Sequence, residues 1–192
     1  MTHDSIRIIL DEHRAVSAVL RSLMAMLERG PGDEPERFFD VVRAMLFYID
    51  EFPERLHHPK ESNLLFPKVA RRVPALMPVI ERLEREHMGG EHAVRELQHL
   101  LLAWELLGEA RRVAFAEATV RYVGFYLEHM QIEEQQVLPA AERSLDAQDW
   151  AELDAAFVTH RDPLAPDGAR EPAWDRLFTR IVLRAPAPIG VG

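Results

Sequence analysis

The chain has 192 residues, 32 acidic and 23 basic, for a formal net charge of −9. At this length about 70% of the unfolded surface can be buried, so one core of ordinary size needs no covalent staple. Cysteine is absent, which excludes disulfides, thiolate metal sites, iron–sulfur clusters and a cysteine nucleophile, and the acidic balance argues against nucleic acid or an anionic membrane as partner. Lys60 and Lys68 are the only lysines, the other basic residues being arginines. Residues 1–14 meet charge at Asp4 and Asp11 with no apolar stretch between a basic start and a cleavage site, and no apolar run approaches the ~20 residues of a membrane span. The expectation is a soluble cytoplasmic protein. Nine histidines are the unusual entry in the composition.

Apolar residues recur at helical spacing nearly throughout. Ile6, Ile9, Leu10, Val16, Leu20, Leu23 and Leu27 predict a first helix that stops at Gly30-Pro31-Gly32. A second starts near Asp33-Glu34-Pro35 and runs to about Val73-Pro74, with a kink or local break expected at Pro53 and Pro59. A third covers roughly 75–107 and a fourth roughly 110–145. Long helices with short connections predict antiparallel neighbours, hence an all-α, up-down-up-down four-helix bundle over 1–145. Beyond it, a short helix at 149–159, a Pro- and Asp-containing loop at 162–168 and an amphipathic piece at 174–183 lack enough apolar residues for a core of their own. Residues 146–192 are therefore expected to be a helical appendage packed on the bundle.

A repeat lies within the four helices. At a register shift of 72 residues, His57 aligns with His129, Glu61 with Glu133, Leu65 with Val137, Pro67 with Pro139 and Arg71 with Arg143. Both segments read His-x3-Glu-x5-Pro. At a shift of 74, Glu12-His13 aligns with Glu86-His87 and Arg21 with Arg95. Two helical hairpins, each offering one single His and one His-x3-Glu pair, would pack about a pseudo-twofold axis.

The spacing carries the chemistry. Residues i and i+4 share one helix face a turn apart, so each pair presents an imidazole and a carboxylate to one point. Two carboxylates buried together without partners would cost several kcal/mol each, and cations between them remove that cost. Imidazole suits iron, zinc or copper, and a carboxylate bridges two ions, so two metals fit the arrangement. Four histidines have Glu at +4, at positions 57, 87, 92 and 129, where 21 glutamates would supply about one by chance. Solvated pairs on helix exteriors are the ordinary alternative for any one of them. The repeated pair and proline, and the alignment of His13 with His87, are what set these positions apart. His3, His99 and His160 read as terminal, packing or surface residues. His58, about 100° around the helix from His57, reads as a residue behind the ligands or facing solvent. Met24, Met26, Met45, Met77, Met88 and Met130 read as core filler.

The stretches Asp11-Glu12-His13-Arg14, His57-His58-Pro59-Lys60-Glu61 with Leu65-Phe66-Pro67, Glu86-His87, and His129 with Glu133-Glu134 and Leu138-Pro139 resemble the hemerythrin-like HHE cation-binding family. The tail from Arg161-Asp162-Pro163-Leu164 to Ala185-Pro186-Ala187-Pro188-Ile189-Gly190 resembles the ending of some bacterial members. The resemblance implies a non-haem di-iron centre in a four-helix bundle, used to bind oxygen or for sensing, storage or repair. Carried over by motif, His13 and His57 would hold one iron and His87 and His129 the other, with Glu61 and Glu133 bridging. Oxygen-carrying members place a second His four residues after the helix-three His. Here Glu91 stands there, and His92 follows one residue later. Either would complete the second ion, Glu91 with the better geometry, and a carboxylate would favour the ferric state. Ser17 and Ala18 occupy the matching places after His13, so the first ion is expected to keep an open position.

The reading that follows is a protein with two iron ions, other divalent metals being acceptable, and a small diatomic ligand, oxygen or nitric oxide. It favours binding or sensing over turnover, because no hydroxyl, lysine or Tyr at helical spacing from the cluster stands out as an acid or base, although Tyr48, Tyr122 and Tyr126 could approach it. A homodimer is compatible with this reading. The alternatives are a ferritin-like di-iron protein for iron storage or oxidation, an iron–sulfur repair factor, and a plain helical interaction module. The ferritin-like design needs Glu-x-x-His pairs on two helices; Glu54/His57, Glu84/His87 and Glu96/His99 have that spacing but none lies on helix four. The cysteine-bearing extension of some repair-linked members is missing.

Overall fold

The periodic apolar residues form helices because each places one stripe against its neighbours. A computed structural model describes residues 3–165, 172 and 174–192, so residues 166–168 of the expected 162–168 loop lie outside the described set. Among the described residues every regular element is helical and no strand occurs. In chain order the α-helices are α1 (Asp4–Arg29), α2 (Pro35–Ile49), α3 (His58–Lys60), α4 (Phe66–Arg72), α5 (Met77–Leu107), α6 (Arg112–Ile132), α7 (Leu138–Ser144), α8 (Ala147–Val158) and α9 (Asp175–Arg184). α1 and α5 end at Gly30 (φ +67) and Gly108 (φ +88), left-handed positions that favour glycine. Asp146 caps α8, its carboxylate accepting from the backbone N–H of Gln148 and Asp149 at 3.0 Å each.

The irregularity expected at Pro53 and Pro59 takes the form of widened turns and does not end the helix. Residues 35–72 stay helical because two π-helical segments, Asp50–His57 and Glu61–Leu65, join α2, α3 and α4. A proline removes the N–H that an α-turn would use, and a widened turn re-routes the hydrogen bonds without ending the helix. The same device recurs once. A π segment, Glu133–Val137, joins α6 to α7, and Pro139 enters α7 in its first turn as Pro67 enters α4. Each half of the His-x3-Glu-x5-Pro repeat therefore opens a π-turn on its glutamate.

α1 packs on α2 and α6, and α5 packs on the same two, which closes a ring of four long rods consistent with a four-helix bundle. α8 lies against α1, and Lys68, Arg71 and Arg72 tie it to α4 through Asp149. α9 lies against α2, with Arg180 and Arg184 on Asp40 at 3.0 and 3.2 Å. The core is split in two. One cluster runs through Val19, Leu23, Met45, Leu97, Trp104 and Phe115, the other through Ile8, Phe66, Leu83, Val137, Leu153 and Phe157. Along every rod the residues between the two clusters are the histidines and glutamates of the repeat.

Candidate metal centre

His13 on α1, His57 at the end of the first π segment, His87 on α5 and His129 on α6 are all buried, as are Glu61 and Glu133, which open the later π segments. Each imidazole is held from behind through Nδ1: His13 by Glu134 at 3.0 Å, His57 by Glu12 at 2.7 Å, His87 by Ser62 at 2.9 Å, His129 by Glu86 at 2.9 Å. This fixes the rings with Nε2 pointing inward, the orientation that outer carboxylates and hydroxyls impose on metal-binding histidines. The Glu-His dipeptide of the repeat works across helices. Glu12 beside His13 holds His57, and Glu86 beside His87 holds His129.

The inward atoms meet two carboxylates. Glu61 places Oε1 3.2 Å from His57 Nε2 and Oε2 3.6 Å from His87 Nε2. Glu133 places Oε2 3.4 Å from His13 Nε2 and Oε1 3.2 and 3.7 Å from His129 and His87 Nε2. Each carboxylate thus turns one oxygen to the His13–His57 pair and the other to the His87–His129 pair. Although these distances allow ion pairing, none is aligned as a hydrogen bond. All four carboxylate oxygens, with His13 and His57 Nε2, are buried without a hydrogen-bond partner in the protein. Orphaned buried acceptors at this density carry a large desolvation cost. Cations would remove it, and nitrogen and oxygen donors of this kind suit iron or zinc.

Without metal the cluster holds protons instead. Burial alone would lower His57 and His129, but the close Glu61 carboxylate, with the hydrogen bond to Glu12, holds His57 well above the usual range. For His129 the charge of the close Glu133 carboxylate, with the hydrogen bond to Glu86, raises it to about 9. Burial would raise Glu133, yet His129, His13 and His87 keep it well below the usual carboxylate range.

Of the seven residues expected as ligands, six converge and Glu91 does not. Glu91 is half exposed and bound to Arg95 at 2.6 Å on the outer face of α5. His92 and His99 are exposed as well. α5 runs unbroken through Gly89 and Gly90, so nothing swings His92 inward. The space beside His87 is filled by His58, whose ring stacks on it at 3.9 Å between centroids. His58, His87 and His129 bring ring nitrogens within 4.8 Å of one another, one of three such groups among the described residues. The π segment that ends at His57 widens the helix there, which turns His58 inward where uniform α-geometry turns it away. His58 is bonded at both nitrogens, Nε2 accepting from Tyr126 Oη at 2.8 Å and Nδ1 donating to Glu54 at 3.0 Å. Tyr122 Oη donates to the same Glu54 at 3.1 Å. Burial pushes Glu54 up to about 8 against that hydrogen bond, and pushes His58 well below its usual value.

The two ends of the cluster differ in free space. Beside His13 and His57 a cavity has apolar walls of Val16, Phe52, Leu56 and Met130, with about 10 Å³ free for the centre of a water-sized molecule. That is room for about one water. His58 fills the corresponding place beside His87.

A comparison with curated proteins finds no match. The family model described as the hemerythrin HHE cation-binding domain matches residues 4–141, well over half of the chain and all six converging residues. The chain belongs to the hemerythrin HHE cation-binding domain family.

Proposed function

We propose that this chain is a non-haem di-iron protein that binds a small diatomic ligand, oxygen or nitric oxide, for sensing, storage or stress response. In this reading residues 1–145 are an up-down-up-down bundle carrying the centre, and 146–192 are an appendage on it. His13 and His57 hold one ion, His87 and His129 the other, and Glu61 and Glu133 lie between them. The observation that carries the reading is the set of six inward donor atoms without hydrogen-bond partners, the four oxygens of Glu61 and Glu133 and Nε2 of His13 and His57, whose rings are tied down through Nδ1. When bound, iron supplies a redox-active Lewis acid that takes a diatomic ligand at a free coordination position.

The protein's own part is to leave space on one side only. The cavity beside His13 and His57 has room only for a small molecule, and its apolar walls suit an uncharged gas. On the other side His58 takes the place expected for Glu91 and closes it. The test is native mass spectrometry after anaerobic iron loading, followed by azide titration of the ferric protein. Two irons and one azide per chain are expected; a single iron, or two azides, would overturn the reading.

A further inference from the structure

The matched family domain ends at residue 141, yet the chain beyond it reaches the centre. Asp162 is buried, and its backbone N–H donates to Glu12 Oε1 at 3.2 Å, while Glu12 Oε2 holds His57 Nδ1 at 2.7 Å. The Asp162 carboxylate fixes that N–H in place by accepting from Leu164 N–H at 2.7 Å and from the Tyr48 hydroxyl. His160 takes a left-handed backbone (φ +51), and Lys60 Nζ donates to the carbonyl of Thr159 at 2.7 Å just before it. A strained residue is retained where its surroundings determine it.

The other half of the repeat has no such cover. Glu86, the counterpart of Glu12, takes its second hydrogen bond from Arg82 of its own helix at 2.7 Å, and it faces a groove of about 620 Å³. Over Glu12 the corresponding side is closed by the C-terminal segment. His160 and Asp162 line the cavity beside His13 and His57. His160, Phe52 and Leu56 also line an outer recess of about 300 Å³ with Arg161 and Pro163. The two spaces meet at these three shared residues.

We propose that residues 160–163 form the outer wall and entrance of the small-ligand cavity, and that Asp162 is a positioning residue for His57 acting through Glu12. The ligand role of the cavity rests on the function proposed above, whereas the link to His57 does not. A small ligand enters from the outer recess past His160, Phe52 and Leu56. The backbone N–H of Asp162 holds Glu12 in the rotamer that aims His57 Nε2 at Glu61.

The test uses the full chain with Asp162→Ala, Asp162→Asn and Tyr48→Phe. In metal-free protein, NMR follows the Nδ1 protons of His57 and His129. Asp162→Ala should speed exchange of the His57 proton at least tenfold and leave that of His129 unchanged, which also reports that the bundle is folded. Asp162→Asn, which keeps the oxygen that accepts from Leu164 and can donate its amide N–H to the Tyr48 hydroxyl oxygen, should behave as the parent. Tyr48→Phe removes one anchor from outside the segment and should give an intermediate effect should Asp162→Ala not fold. In iron-loaded ferric protein Asp162→Ala should keep the metal ratio and raise the azide association rate several-fold. An unchanged His57 proton and an unchanged azide rate in a folded variant would overturn the proposal. A parent protein that takes up no metal would instead refute the di-iron reading, and the His57 proton would still decide the positioning role.

Discussion

Metal affinity should rise steeply between pH 7 and pH 9, well above the range where free histidines titrate. Metal needs a neutral nitrogen, so a histidine that holds its proton competes with the ion. The glutamates that would bridge the ions meanwhile hold protons on the rings, and His129 is raised to about 9 with Glu133 as the main cause. At pH 7 about one His129 in a hundred is then neutral and at pH 9 about half, so raising the pH to 9 should tighten binding at that ion about 50-fold. His57, also raised, adds to the effect at the other ion. The assay is chelator-buffered zinc titration across this range, with calorimetry in two buffers at pH 7 to count protons released; about two per chain are expected. The same linkage acts on stability. A histidine raised from 6.5 to about 9 stabilises the metal-free fold fully below 6.5, and that stability is lost as pH rises through 9. The shift corresponds to about 3 kcal/mol for the buried His129–Glu133 pair as a whole, not to be added again for Glu133. Glu54, raised to about 8 by burial, acts with the same sign, since its ionisation on the way up costs stability. For a chain of this size Tm of the metal-free protein should fall by about 6–12 °C between pH 6.5 and 9. Affinity that is flat from pH 7 to 9, with no proton release, would refute the assignment of these nitrogens as ligands.

Glu133→Ala should lose both ions together, because its two oxygens face different histidine pairs; full metal content by mass spectrometry would contradict bridging. His58→Ala should keep two ions and open a second azide position, read as a change from one to two azides per chain. Val16→Ile adds one methylene to a cavity with about 10 Å³ of free space, so azide affinity should drop at least tenfold with metal content unchanged. Gly90→Ala would put a Cβ 2.8 Å from Glu54 Oε1, and displacing that buried carboxylate should cost about 1–3 kcal/mol despite the better helix propensity of alanine. A Tm equal to or above the parent would show that Glu54 moves freely.

Helix ends were legible wherever glycine follows an apolar stripe, as at Gly30 and Gly108, because backbone conformation there is decided locally. The six converging residues were legible because an internal repeat makes two weak signals confirm each other. Where expectation and structure part, the cause is the same each time. A uniform 100° per residue leaves His58 either behind the ligands or in solvent and leaves the irregularity at Pro53 as a kink or a break, and a π-turn decides both at once. The prolines announce the irregularity without saying whether the helix breaks or widens. Glu91 shows the complementary limit, since its spacing from His87 is right and only the neighbours, Arg95 outside and His58 inside, decide which way it points. Asp162 has no local signal at all, because its partner Glu12 is 150 residues away.

The two halves of the cluster are made unequal by compensating pairs of residues, not by a single substitution. Across the repeat His58 corresponds to Met130, Glu54 to Tyr126, Val16 to Gly90 and Ser62 to Glu134. On the His87–His129 side, Glu54 lies so close to α5 that a side chain at position 90 would have to displace it, and Glu54 in turn anchors His58 against His87. On the His13–His57 side, Val16 needs no such clearance, and Met130 in place of an imidazole leaves apolar walls around empty space. The outer hydrogen bonds follow the same division. His13, His57 and His129 lean on carboxylates, which raise the basicity of a ligating imidazole, whereas His87 leans on the Ser62 hydroxyl. An ion between His13 and His57 would therefore have the two more basic rings and the open space. A ligand that draws electrons from the metal is best served on that side, the side that the C-terminal segment covers.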